Sequence, residues 1–109
     1  MPSAYTPEPR LFGYSKRITW LTADQAMDRL PLDRDDAEAV HKIRLEAAKF
    51  QNAWCCDLRN DLSEQRVMFS AYASRTGQSP TRLDRILHGA AVLRVEDIAA
   101  FELFKRNEL

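Results

Sequence analysis

Three arginines surround a short turn-like segment in the second half of this chain. Arg75 precedes a Gly-Gln-Ser-Pro run at residues 77–80, and Arg82 and Arg85 follow it. A guanidinium group suits phosphate oxygens and the paired acceptors O6 and N7 of guanine. Residues three apart share one face of a helix, so Arg82 and Arg85 would project together. The spacing favours recognition of nucleic acid over catalysis.

The charge distribution supports the same interpretation. The 109 residues carry a formal net charge of zero. Residues 63–94, however, hold five arginines against Glu64 and Asp84, a local charge of +3, while residues 21–62 carry −3. A local basic surface attracts phosphates even when the whole molecule is neutral.

The sequence offers little support for catalysis, metal binding, a disulfide or membrane insertion. No Ser-His-Asp, Cys-His, phosphate-loop or paired-carboxylate grouping has a usable spacing, so we expect neither an enzyme nor a bound metal or cofactor. Cys55 and Cys56 are adjacent and would point about 100° apart on a helix, which prevents an ordinary disulfide. No apolar run approaches a membrane span and no leader pattern opens the chain. We therefore expect a cytoplasmic protein without a membrane partner.

Composition and periodicity predict an all-α fold of about five helices. Ala, Leu, Arg and Glu are plentiful, and only three glycines occur. We divide one compact domain into an extended arm at 1–20, with a possible short strand over 14–20, a helical pair at 21–62 and a helix-turn-helix portion at 63–109. Lys16 and Arg17 on the arm resemble minor-groove arms, although most basic arms have no such role.

The helical pair begins with Thr22 as the N-cap of a short helix that Pro31 stops. Asp33 to Asp36 then open a long amphipathic helix that runs to about Asn60. Its predicted buried stripe has helical spacing throughout and comprises Val40, Ile43, Ala47, Phe50, Trp54, Leu58 and Leu62.

A new helix is predicted from Ser63 to Gly77, which would form its left-handed end. Its predicted apolar stripe comprises Val67, Met68, Ala71 and Tyr72, and Phe69 is also expected in the core. Ser79 then caps a further helix with Pro80 in its first turn, ending at Gly89. Its predicted buried residues are Leu83, Ile86 and Leu87. A last helix covers 95–104, with Ile98, Phe101, Leu103 and Phe104 inward.

The spacing around the turn has a recognisable form, Ala73-x3-Gly77-x-Ser79-x3-Leu83-x2-Ile86-x2-Gly89. It resembles the lambda-repressor-like, Cro-type (Xre-like) helix-turn-helix family over roughly residues 57–105. Three positions depart from the family's usual residues: Gln78 stands where an apolar residue is common, Ser70 where Gln is common, and Leu87 where Glu is common.

This resemblance implies a regulator, most simply a repressor, that places the helix at 80–88 in the major groove of double-stranded DNA. The positions that would contact bases are Pro80, Thr81, Arg82 and Arg85. Those that would contact backbone phosphates are Arg66, Ser70, Arg75, Ser79 and His88. Tyr72 and its neighbours would serve the core.

Such regulators commonly bind as pairs, and the long helix offers a surface for this. It carries Phe50 and Trp54, and aromatic residues are enriched at interfaces. A homodimer through this helix and residues 18–20 is one expectation, and plain intramolecular packing is the other. A competing function is also open, an antitoxin-like adaptor that keeps the helix-turn-helix as a scaffold for protein contacts.

Overall fold

The computed structural model describes residues 8–13 and 20–109. A short 3₁₀ helix, Pro9–Phe12, precedes five α-helices: α1 (Ala23–Arg29), α2 (Ala37–Gln65), α3 (Phe69–Thr76), α4 (Pro80–Leu87) and α5 (Val95–Lys105). No strand occurs within these ranges, so the all-α prediction is confirmed. Residues 14–19 of the predicted strand, with Lys16 and Arg17, lie outside the described ranges.

Helix α1 begins as its sequence predicts. The hydroxyl of Thr22 accepts a hydrogen bond from the backbone N–H of Gln25 at 3.1 Å, and the Gln25 side chain accepts one from the Thr22 N–H at 2.9 Å. This reciprocal capping box satisfies two N–H groups that a helix start leaves without partners. The helix ends at Arg29, just before Pro31.

Helix α2 is longer than predicted. Its 29 residues rise about 1.5 Å each, which gives a rod of about 43 Å. The expectation of a new helix at Ser63 is wrong, because residues 60–65 contain no Gly or Pro and continue the helix. It ends where Arg66 adopts the left-handed conformation, φ 55°, and the N–H of Val67 bonds to the Leu62 carbonyl at 2.9 Å.

The described residues form two hydrophobic clusters that share α2. The larger lies between the second half of α2 and α3, α4 and α5, and includes Trp54, Leu58, Leu62, Tyr72, Ala73, Leu83, Ile86, Phe101 and Phe104. The smaller joins the first half of α2 to α1 and the 3₁₀ helix through Phe12, Leu21, Ala26, Leu45 and Ala48. Helix α2 is therefore the common scaffold of both clusters.

The prediction of an extended arm is wrong for Pro9–Phe12. Phe12 is only 1% exposed, and its ring meets the His41 ring edge-on with centroids 6.1 Å apart. The Arg10 N–H also donates to the Gly89 carbonyl at 3.1 Å. Burial of one aromatic side chain and this long-range bond outweigh the local preference of a proline-rich segment for extended backbone.

The predicted stripe of α2 is buried only in its second half. Ile43 and Phe50 are 68% and 58% exposed, and Ala47 is exposed too. The residues that face the protein there are Ala37, His41, Leu45, Ala48 and Gln51. Hydropathy predicts that polar residues such as His41 and Gln51 face solvent. Both are instead buried, where their side chains bond to backbone carbonyl groups.

The turn follows its prediction closely. Gly77 has φ 66°, and the N–H of Gln78 bonds to the Ala73 carbonyl at 2.9 Å, which closes α3 with a left-handed end. Ser79 caps α4 through the Arg82 N–H, and Pro80 occupies its first turn. Gly89 follows α4 with φ 71°.

The hydrophobic contacts around the turn confirm most of the predicted core. Leu83, Ile86 and Leu87 are buried, as are Tyr72, Phe101 and Phe104, while Phe69, Ile98 and Leu103 are partly buried. Met68 is 73% exposed and Ala71 is exposed too, so the core positions expected for these two residues are wrong. Met68 lies just before α3 begins and not inside a helix that starts at Ser63.

Candidate nucleic-acid interface

Helix α4 has one buried and one exposed face, and the turn determines which residues lie on each. The inner face holds Leu83, Ile86 and Leu87, between 0% and 8% exposed. Ser79, Pro80, Thr81 and Arg85 are exposed on the outside. Four of the residues predicted for contact with DNA therefore share the outer side and the start of one helix.

Arg82 is placed differently from the sequence-based expectation. Its guanidinium forms two parallel bonds with the Asp97 carboxylate, Nη1 to Oδ1 at 2.7 Å and Nη2 to Oδ2 at 2.8 Å. Only 27% of the Arg82 side chain is exposed, and 2% of Asp97. The fork of Arg82 is thus used inside the protein, where it attaches α4 to α5.

Asp97 collects two further donors. The Gln78 side chain donates through Nε2 at 2.6 Å, and the Arg94 backbone N–H donates at 2.8 Å. A buried carboxylate requires partners for its oxygens, and here the turn, α4 and the start of α5 supply them. This arrangement gives Gln78 a role at the position where the resembled family usually has an apolar residue.

The ionisation of these groups follows from the contacts. Burial by itself raises the pKa of Asp97, but the hydrogen bonds from Arg82 and from the Arg94 backbone, with the charges of both arginines, lower that pKa below its usual value. The hydrogen bond to Asp97 raises the pKa of Arg82. Both shifts indicate that the two side chains are charged as a pair.

Arg85 remains accessible on the outer face of α4. Its Nη2 lies 3.4 Å from the Ala90 carbonyl, at the outer limit of a hydrogen bond, and the residue is exposed. Thr81 is exposed one turn earlier on the same face. These two side chains, together with Pro80, can meet a partner without breaking any internal ion pair.

The residues predicted for phosphate contact are all exposed, but the structure does not bring them all to one end of α4. Ser79 caps the start of α4 and Ser70 lies in the first turn of α3. His88 lies at the opposite end of α4, about 12 Å from Pro80, where its Nδ1 donates to the Asp84 carbonyl at 2.8 Å.

The two arginines predicted for phosphate contact, Arg66 and Arg75, are positioned in different ways. Arg66 ends α2, and the Arg75 guanidinium carbon lies 5.7 Å from the centroid of the Phe104 ring. Stacking on an aromatic face leaves the edges of a guanidinium free to bond. Arg75 is therefore oriented, exposed and still able to contact an anion.

Three polar residues for which the sequence predicted no role attach the end of α4 to α2. Gln51 donates to the carbonyls of Ile86 at 3.0 Å and Ala91 at 2.8 Å, and accepts from the Leu93 N–H at 2.8 Å. Cys55 and Arg59 contact the Ile86 and Leu87 carbonyls at 3.6 and 3.1 Å. The spacing of four between 51, 55 and 59 was the available signal, because it places them on one face.

Comparison with known proteins leaves the family resemblance as an expectation. No protein-family model, curated protein or solved structure matches the chain. Among the described residues no helix is apolar over a length that could cross a bilayer. The same residues contain no group of three His, Cys, Asp or Glu side chains arranged to hold a metal ion.

Proposed function

We propose that this protein is a sequence-specific DNA-binding transcriptional regulator that inserts α4 into the major groove of double-stranded DNA. The proposal rests on one observation: the protein holds one face of α4, and the other face is exposed and free to bind. Its inner face and its end are held by the core, by Gln51 and by Asp97, while Pro80, Thr81 and Arg85 remain exposed beside the turn. A rigidly held helix with a free outer face is what groove recognition requires.

Within this proposal Arg85 and Thr81 read base edges. Arg85 can chelate guanine O6 and N7, and the Thr81 methyl can contact a thymine methyl. Arg82 takes a positioning role, since its guanidinium is bonded to Asp97. Ser70, Ser79, Arg66 and Arg75 contact phosphates, which orient the protein without specifying sequence. His88 contributes at the far edge of the site.

The proposal is tested by selecting DNA sequences with the purified protein and titrating the selected site. Arg85→Ala should weaken binding by about 1–3 kcal/mol, roughly 5- to 150-fold, and relax the preference at one base pair. Arg106→Ala, another exposed arginine, is the control and should change little. Failure of the selection to enrich any sequence would contradict the proposal.

The salt dependence of binding distinguishes a DNA-binding regulator from an antitoxin-like adaptor. A protein that neutralises phosphates releases counterions, so its affinity falls steeply as salt is added. Arg75→Ala should weaken all sequences alike and reduce the slope of log affinity against log salt by about one. Repression by occupancy of a promoter, in a cytoplasmic protein, is the simplest outcome of such binding.

One observation favours the alternative of an antitoxin-like adaptor. Large apolar side chains, Ile43 and Phe50, are exposed on α2, away from α4. Exposed apolar surface of this kind marks contacts either with another protein or with a second copy of the chain. An adaptor would bind DNA no better than background at any salt concentration, and would retain partner binding when Arg85 is removed.

A further inference from the structure

The outer side of α2 carries an apolar band that the domain itself leaves uncovered. Ala39, Ile43, Ala47 and Phe50 follow one another at intervals of three or four and are all exposed. At 100° per residue they lie within about a quarter of the helix circumference. We call these four residues the outer stripe. Val92, 46% exposed, lines a small groove together with Ala47 and extends the apolar surface.

A row of alternating charges runs beside the outer stripe. It consists of Glu38, Lys42, Glu46 and Lys49, which share one face of α2 at intervals of three or four, and we call it the charged row. Two ion pairs join neighbours within it, Lys42 to Glu38 at 3.2 Å and Lys49 to Glu46 at 3.8 Å. Read along the helix, the signs are negative, positive, negative, positive.

We propose that the outer stripe is the interface of a two-fold symmetric homodimer in which two α2 helices pair antiparallel. In an antiparallel pair each flank of a helix faces the same flank of its partner in reverse order. The charged row reversed is positive, negative, positive, negative. Glu38 therefore faces Lys49 of the partner subunit, and Lys42 faces Glu46 of the partner subunit.

This charge pattern determines the register of the pair. With those two oppositions satisfied, Ile43 lies beside the two-fold axis and meets Ile43 of the partner subunit, and Ala47 meets Val40 of the partner subunit. The small side chain of Ala47 allows the helices to approach closely. Exposed ion pairs contribute little affinity but select orientation, so the apolar stripe supplies the attraction and the charged row the direction.

In this register residues 37–50 of the two α2 helices overlap, a length of about 20 Å. Phe50 lies at each end of the overlap, and Val92 extends the apolar surface beside it. A contact of this length falls towards the small end of specific interfaces, which cover about 800 Å² on each partner, so dissociation in the micromolar range is expected. The inference goes beyond DNA binding and stands without it, because it uses only α2 and the residues beside it.

The test is sedimentation equilibrium of the full chain across micromolar concentrations. We expect a monomer–dimer equilibrium in the wild type. Lys42→Glu and Glu46→Lys should each raise the dissociation constant roughly tenfold, because two symmetry-related attractions become repulsions. The double variant Lys42→Glu/Glu46→Lys should return towards the wild-type constant, since it restores opposite charges across the two-fold axis.

Two further variants complete the design. Glu64→Lys changes the same kind of charge on the same helix, about 27 Å from Glu46, and should leave the dissociation constant unchanged. Ile43→Glu should abolish the dimer while the thermal unfolding midpoint stays close to that of the wild type, because Ile43 is 68% exposed in the monomer. A monomer at every concentration would overturn the proposal, as would a double variant no more dimeric than the single ones, or Ile43→Glu without effect.

Discussion

At the scale of single residues, Asp97 has the largest influence on the candidate site. It is 2% exposed and accepts hydrogen bonds from Arg82, Gln78 and the Arg94 backbone. Helix α5 thereby fixes both the turn and the first part of α4. The cost of burying a carboxylate is offset only while these donors and the Arg82 charge remain in place.

Asp97→Asn should therefore destabilise the fold by about 2–3 kcal/mol. The amide leaves the Arg82 charge without its counter-charge and presents an N–H to groups that are themselves donors. The partial exposure of Arg82 keeps the cost at the lower end of the range for buried pairs. Urea unfolding measures it, with the exposed neighbour Glu96→Gln as the control, for which a change within about 0.5 kcal/mol is expected.

The same group predicts a dependence of stability on acid. Because the folded-state pKa of Asp97 lies below its unfolded value, the unfolded chain takes up the proton first as the pH falls. The stabilisation is fully present above an ordinary carboxyl pKa of about 4 and is lost as the pH drops through the folded value. Unfolding free energies of wild type and Asp97→Asn should converge in acid; a constant difference down to about pH 2 would contradict this assignment.

At the scale of elements, α2 serves as a capping scaffold for the ends of two other helices. His41 contacts the Leu30 carbonyl at the end of α1 through Nε2 at 2.5 Å. Gln51, Cys55 and Arg59 contact carbonyls at the end of α4. The last carbonyls of a helix have no partners within it, so the buried face of α2 supplies polar side chains where hydropathy predicts apolar ones.

Gln51→Leu tests this role at the end of α4. The change leaves the Ile86 and Ala91 carbonyls and the Leu93 N–H without their partner. We expect a loss of about 2–4 kcal/mol in unfolding free energy. Gln65→Leu is the matched control on the same helix, since Gln65 is exposed and bonds only to Asp61. Equal effects of the two variants would contradict the capping role.

The turn at Gly77 depends on backbone conformation and not on space. Apart from Gly77 itself and its two chain neighbours, nothing lies within 4 Å of the position that a Cβ would occupy there, yet φ is +66°. Gly77→Ala should lower the free energy of unfolding by about 1 kcal/mol. Gly77→Val should lower it more and Gly77→Asn least, because Asn tolerates the left-handed region. Thermal unfolding of the three variants gives the order; a larger cost for Asn than for Val would point to crowding instead.

At the scale of the whole molecule, the two proposals together constrain the DNA site. A two-fold dimer presents two α4 helices related by its axis, so the selected sequences should be inverted repeats. Ile43→Glu, which leaves α4 untouched, should then weaken binding to the full repeat far more than to an isolated half-site. Band-shift titration of both DNAs measures this. If the selected DNA sites had no two-fold symmetry, the dimer through α2 would not be the form that binds DNA.

Local signals in the sequence determined where α1 and α4 begin and where the turn between α3 and α4 lies. The capping box at Thr22, the left-handed glycines and the Ser79-Pro80 start depend on groups within a few residues of one another, so their outcome is readable from the chain. The buried half of the α2 stripe was also readable, from its periodicity.

Only the tertiary structure decided which side chains are available for binding. Arg82 and Arg85 are equivalent on the predicted helix, but Asp97, fifteen residues beyond Arg82, takes one guanidinium and leaves the other exposed. Likewise Gln51 is buried and Phe50 exposed because the carbonyl end of α4, some 35 residues away, docks on α2 and requires a donor there. A buried polar group must find its partner wherever the fold brings one, and periodicity carries no information on pairings so distant in the chain.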